Sequence, residues 1–311
     1  MNDNRNSPGQ RAQAQSSAVV SPFLGQRVML IAAHPDDEVL FAGAQLCKAE
    51  ALLIIHVTDG APSRLAARRL GFETRGAYAA TRLQESRRAR AAGAVRARSV
   101  CLNLRDGRSY LRIASGARRI AALIGEFRPQ ILLTHAYDGG HIDHDTAAAM
   151  THIARRLSRS RAKIWEMAGY FSDHRQRRTY EFATESPHVV FTYRLSECER
   201  AMKRRMLSEF VSQRGIVAQF SLDAEVFREA PRYNFKFRPL GGPLAYETSD
   251  SGLEGLLWRR LVRHDEAAVL GCRVASGVRD KAAAYLVARC SRFRTEHPRV
   301  DALLVRVLGL H

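Results

Sequence analysis

Two glycine-rich phosphate motifs are missing from this chain. No G-x-G-x-x-G follows its first apolar run, and G-x-x-x-x-G-K-[ST] occurs nowhere, so neither dinucleotide nor P-loop binding is indicated. Paired cysteines are missing too. The five cysteines (Cys47, Cys101, Cys198, Cys272, Cys290) are scattered and never form C-x-x-C, so buried free thiols are expected in place of a thiolate metal site or disulfide framework. No uninterrupted apolar run is long enough to span a bilayer. Met1 to Ser21 is polar, rich in Asn, Gln, Ser and Arg, and lacks an apolar h-region, so the N-terminus reads as a disordered tail. A soluble cytoplasmic protein is the resulting expectation.

Acid is scarce relative to base. Lys and Arg total 49 against 31 Asp and Glu, for a net charge of +18, and the basic residues are nearly all arginine. Such a charge suits an anionic substrate, nucleic acid or an acidic membrane surface. The arginines, however, are spread over many segments (Arg68, Arg69, Arg118, Arg119, Arg204, Arg205) on what would be polar helix faces. Solvated faces are therefore expected, with no specific nucleic-acid partner. The oligomeric state is left open.

What is present is a dense polar string, His34-Pro35-Asp36-Asp37-Glu38, directly after the apolar run Val28 to Ala33. The run reads as a short buried strand. Pro35 disfavours the helical region for His34, and the acids then open a helical pattern through Ala49, where they complement the helix dipole. The dipole accounts for one or two acids, but not for the imidazole and a third acid. A metal or catalytic role accounts for those.

Three more apolar strands follow, at Ala51 to Val57, Ser99 to Leu104 and Ile131 to His135. Between them lie helical patterns at Arg64 to Leu70, Tyr78 to Ala92 and Ile113 to Phe127. This alternation predicts an α/β fold, a doubly wound Rossmann-like parallel sheet with helices on both faces and right-handed crossovers. After the fourth strand comes a second polar string, Tyr137-Asp138-Gly139-Gly140-His141-Ile142-Asp143-His144-Asp145, then a helix from about Thr146 to Leu157. In a strand order 3-2-1-4 the two strings face each other across the crevice where the order reverses. Lys163 to Ala168 and His188 to Tyr193 read as further strands, and Ser196 to Gln213 as a helix. Phe220 to Tyr246 interleaves aromatic and basic residues and reads as a lid or a wrap over the core. A C-terminal helical extension begins near Leu253, with patterns at Leu256 to Leu270, Arg279 to Phe293 and Val300 to Leu310. The expected division is a tail at 1–24, a catalytic domain at 25–250 and the extension at 251–311.

Two histidines and one carboxylate with open positions suit hydrolytic zinc or non-haem iron. His34 and Asp37 offer two ligands, and either His141 or His144 offers the third, leaving the other to face the substrate. Asp36 is placed to act as base toward a water, and Asp143 to orient the histidine that does not ligate.

The paired strings resemble the LmbE-like or PIG-L family of zinc-dependent de-N-acetylases. The resemblance implies a metal site of His34, Asp37 and His144 holding Zn2+, with Fe2+ as the alternative. It further implies Asp36 as general base, His141 assisting the tetrahedral intermediate and Asp143 tuning it. Arg82 and Glu85 sit like that family's R-x-x-E helix, whose arginine contacts substrate; without the resemblance they read as an exposed ion pair. Asp106 resembles an acid that contacts sugar hydroxyls. The implied activity is removal of acetyl from an N-acetylglucosamine-type sugar or sugar conjugate, a small-molecule partner. Ile142 stands where the family usually has proline, which removes no chemical group. The rival readings are a basic polyanion-binding protein with a degenerate metal site and a non-haem iron enzyme, although H-x-x-D does not match the usual H-x-D of the latter.

Overall fold

Val28 to Ala33 does form a strand, and it lies at the centre of the sheet. A computed structural model describes residues 20–61, 63–173, 176–239, 244–248 and 253–271. Strands β1 (Arg27–Ala32), β2 (Ala51–Thr58), β3 (Arg98–Leu104), β4 (Ile131–His135) and β5 (Lys163–Met167) pair in parallel. A hairpin of β6 (Tyr170–Asp173) and β7 (Gln176–Thr179) stands apart from the main sheet. Strands β8 (Val190–Arg194) and β9 (Ala224–Glu229) complete the main sheet in antiparallel fashion. The strand order is β3-β2-β1-β4-β5-β9-β8, so the order reverses between β1 and β4 as the alternation predicted.

The helices are α1 (Asp37–Ala42), α2 (Arg64–Arg69), α3 (Arg75–Ala92), α4 (Ile113–Phe127), α5 (Ile142–Leu157), α6 (Glu197–Ser208), α7 (Arg214–Val217), α8 (Ala245–Thr248) and α9 (Leu253–Leu270). Alternate residues of β1 enter opposite cores, as the two-residue period of a strand requires. Met29 and Ile31 pack with α4, α5 and α9, whereas Val28 and Leu30 pack with α1, α3 and α6. Both faces are therefore covered, and β1 reads as an unbroken apolar run for that reason.

Several expectations need correction. The helix expected to run to Ala49 ends at Ala42, because the Ala44 amide leaves the helical ladder to donate to buried Glu225 at 2.9 Å. Helix α5 begins at Ile142, four residues earlier than expected, with His141 as its N-cap. The stretch assigned to a lid contains β9, whose strand pattern is disguised by Arg228; this arginine is buried against Glu166 at 2.9 Å. Phe235, Leu244 and Tyr246, farther along, do pack over the core. Cys47 and Cys198 are exposed and Cys101 half-buried, so these thiols are not the buried ones expected.

Within the expected extension, α9 is part of the same core as the sheet. Trp258 is fully buried, stacks on Tyr137 with ring centroids 5.2 Å apart, and donates from Nε1 to Thr146 Oγ1 at 2.9 Å. Asp265 accepts from the Ala114 amide at 2.9 Å, meeting one of the orphan donors in the first turn of α4. The later helix-like patterns lie outside the described residues, as do residues 1–19 of the expected tail. Among the described residues, no helix is long and apolar enough to cross a membrane.

Candidate functional site

The two polar strings meet at the carboxyl ends of β1 and β4. Pro35 keeps His34 out of the helix, and the His34 amide donates to Asp37 Oδ2 at 2.7 Å, which folds the string back on itself. Asp37 lies among three imidazoles, 3.3 Å from His34 Nδ1, 3.3 Å from His135 Nε2 and 3.4 Å from His144 Nε2. His141 caps α5, its Nδ1 accepting from the Asp143 amide at 3.2 Å, so its proton sits on Nε2. The His141 ring centroid is 4.8 Å from that of His34 and 5.2 Å from that of His144. Five expected site residues, Asp36, Asp37, His34, His141 and His144, thus come from strings about a hundred residues apart and form one cluster.

Asp143 stands beside both His34 and His141: one of its carboxylate oxygens lies within 4.8 Å of a ring nitrogen of His141, in a group that also holds His34 and Asp106. It accepts from the Gly107 amide at 2.6 Å and the Ser109 amide at 3.2 Å, and lies 3.3 Å from His34 Nε2. Asp106 Oδ1 is 3.4 Å from the same nitrogen. A proton on Nε2 of His34 is thereby held by carboxylates, leaving Nδ1 on the Asp37 side, an arrangement common behind metal-binding histidines.

Arg82 is buried and donates to Gly60 O at 2.9 Å, Pro35 O at 3.3 Å and Asp36 Oδ2 at 3.1 Å, which braces Asp36, while its buried Nε has no partner. Nor does it pair with Glu85, which accepts from the Ser212 amide at 2.8 Å and hydroxyl at 2.6 Å. The third acid of the first string turns inward: Glu38 meets His56 at 3.1 Å and Arg90 at 3.5 Å, and accepts from Ser86. In the second string, Gly139 has φ +75°, and a Cβ on Gly140 would collide with the Tyr170 carbonyl, so both glycines are needed for the turn. Asp145 fastens that turn, accepting from the Gly139 amide at 3.2 Å and the Tyr246 hydroxyl at 2.8 Å.

Burial shapes the protonation of the cluster. It lowers His141 and His144 to about 4, helped by the imidazoles around each, so both are neutral. It pushes Asp36 up to about 6, against the pull of Arg82 and with the push of Asp37. Burial alone would raise Asp37 as well, but His144, His135 and His34 hold it well below the usual carboxylate range. His34 goes the other way: burial opposes its charge, yet Asp106 and Asp37 raise it well above the ordinary imidazole value.

The donor set fits a metal. Asp37 is held ionised and His144 neutral, the forms that ligate, and His34 would give up its extra proton to join them. Donor atoms of Asp37, His135 and His144 lie within 4.8 Å of one another, as do those of His34, His141 and His144. Two residues of this cluster escape sequence reasoning. His135, read as a core histidine, stacks on His144 at 4.0 Å while its Nε2 accepts from the Ala33 amide at 3.0 Å. Its place at the carboxyl end of β4 was the available signal. Tyr170, whose ring centroid is 5.3 Å from that of His144, comes from the β6–β7 hairpin, and no spacing announces it.

Solved structures with this fold include the deacetylase of the A40926 pseudoaglycone. It is 19% identical, with a TM-score of 0.53, and the match covers 67% of this chain and 98% of that one. A triple mutant of the deacetylase of teicoplanin biosynthesis is 20% identical with a TM-score of 0.54, covering 67% of this chain and 99% of that one. The teicoplanin complex of such a deacetylase is 17% identical with a TM-score of 0.51, covering 67% and 99%. No curated protein sequence matches. Residues 29–154, which carry both polar strings, match the family described as PIG-L, GlcNAc-PI de-N-acetylase, and form a domain of that family.

Proposed function

We propose that this protein is a metal-dependent de-N-acetylase that releases acetate from an N-acetylglucosamine-type sugar or sugar conjugate. The convergence of Asp36, Asp37, His34, His141 and His144 at the carboxyl end of the sheet, within a PIG-L family domain, carries the reading. His34, Asp37 and His144 would hold the ion, Zn2+ or Fe2+. When bound, such an ion polarises an amide carbonyl and lowers the pKa of water.

The chain's own residues then divide the work. Asp36, held in place by Arg82, accepts a proton from the attacking water. His141, with Nε2–H free of its own helix, donates toward the oxygen that gains charge in the tetrahedral intermediate. Asp143 and Asp106 orient His34, and Asp106, the more exposed of the two, also faces sugar hydroxyls. Arg82 acts here by positioning the base.

The test is a mass-spectrometric screen of N-acetylated sugars and sugar conjugates for loss of acetyl by metal-loaded protein, with metal content measured in parallel. The expected result is acetate release together with about one metal ion per chain. Metal-replete protein that deacetylates none of them, or activity retained in metal-free His144→Ala, would overturn the reading.

A further inference from the structure

Helix α5 carries His141 and His144 at one end and His152 toward the other. His152 lies about 16 Å along the axis from His141, at the helical rise of 1.5 Å per residue. There, at the amino end of β5, two adjoining cavities of about 350 Å³ and about 310 Å³ share His152 as a wall. The first is lined by Arg155, Lys163 and Arg232, the second by Lys236 and Arg263.

The charges around these cavities are unbalanced. Both of their carboxylates are taken, Glu229 by Lys163 at 3.2 Å and Glu266 by Arg156. Among the described residues no carboxylate pairs with Arg155, Arg232, Lys236 or Arg263. Arg155 and Arg156 suit the last turn of α5 through its dipole, but that effect does not explain the cations arriving from the segment after β9 and from α9. His152 packs edge-on against Tyr233 and Phe235, with ring centroids 5.6 Å and 5.5 Å away, and its buried Nε2 has no partner. The residues between 231 and 238 belong to the aromatic and basic stretch that the catalytic end leaves unused.

We propose that this basic cleft, where the two cavities meet at His152, binds a small ligand bearing a diphosphate group. Guanidinium groups and ammonium groups from separate elements provide the charge-assisted hydrogen bonds that phosphoryl oxygens require. The site is separate from the candidate metal centre and does not depend on its chemistry.

The experiment is calorimetric titration of the full chain with inorganic pyrophosphate at constant ionic strength. Wild type is expected to bind one pyrophosphate per chain, and so is His144→Ala, which separates this site from chelation at the metal centre. The exposed pair Arg232→Gln with Arg263→Gln should weaken binding about tenfold or more, while Arg204→Gln with Arg205→Gln, an equal loss of charge on α6, leaves it unchanged. Equal weakening in both double variants, loss of binding in His144→Ala, or absence of saturation would overturn the site. Saturable binding of an oligoribonucleotide without any of pyrophosphate would also overturn it, in favour of a polyanion surface.

Discussion

Buried charge is handled differently beside β9 and at the carboxyl ends of β1 and β4. Beside β9 each acid meets a cation. Lys203 Nζ donates to Glu225 at 2.7 Å with both side chains fully buried, and Arg228 donates to Glu166 at 2.9 Å. At the strand ends Asp36, Asp37, Asp106 and Asp143 gather around imidazoles and one guanidinium, Arg82. Each of these pairs balances its own charge and fixes one element against another, α6 on β9 in the first and β5 beside β9 in the second. An acid surplus in a buried place is tolerable only with a cation present, and the imidazoles supply the other ligands such a cation takes. Similar residue types thus serve as fold in one region and as site in the other.

Four substitutions break or sharpen that contrast. Asp36→Asn has the largest effect: it keeps the bond from Arg82 but cannot accept a proton, so kcat should fall by about two to four orders of magnitude at full metal occupancy and unchanged fold. Steady-state kinetics on the metal-replete variant decides it, and near wild-type turnover would move the base role elsewhere. Lys203→Met leaves Glu225 buried and unpaired, which should cost about 3–5 kcal/mol in chemical denaturation without changing metal stoichiometry in the folded fraction. Adding Glu225→Gln, which removes the charge while its amide oxygen still accepts from the Ala44 amide, should recover most of that loss; if it does not, the pair is doing more than neutralising itself.

Asp143→Ala comes next. Removing the carboxylate behind His34 should weaken metal affinity by about 10- to 100-fold, read by competition with a chromogenic chelator. Unchanged affinity there would separate Asp143 from the metal centre. The smallest effect belongs to Arg88→Ala, which breaks a half-exposed pair with Glu209 at 3.0 Å. Screening by solvent should hold its cost to about 0.2–1 kcal/mol, within the scatter of thermal melts. A larger loss would mean that exposed and buried pairs in this protein do not differ as described.

Much of the site was legible because its signals are local. A strand end, a proline and three acids in five residues mark the first string, and H-x-D-H opening a helix marks the second. The strand order brought them together by a general rule of doubly wound sheets. The contacts of Asp143 and Arg82 were not legible, since each depends on residues brought in from elsewhere in the chain. Asp143 accepts from the Gly107 and Ser109 amides while it reaches His34, and Arg82 reaches two carbonyls and Asp36 from α3. Strand β9 escaped for a related reason, because a buried Arg228 looks like surface until its partner Glu166 is known.

By itself, then, the sequence determined the apolar runs that become β1 to β4, the period that covers both faces of the sheet, and the ligand types that reach its carboxyl end. These follow from spacing along the chain, which local sterics and burial convert directly into strands, helices and faces. Tertiary structure alone decided which acids are compensated and which are left in surplus. Compensation of a buried charge depends on distance in space, and the partners that supply it here, such as Glu225 with Lys203 or Asp143 with His34, are separated by stretches of sequence that carry no record of the contact.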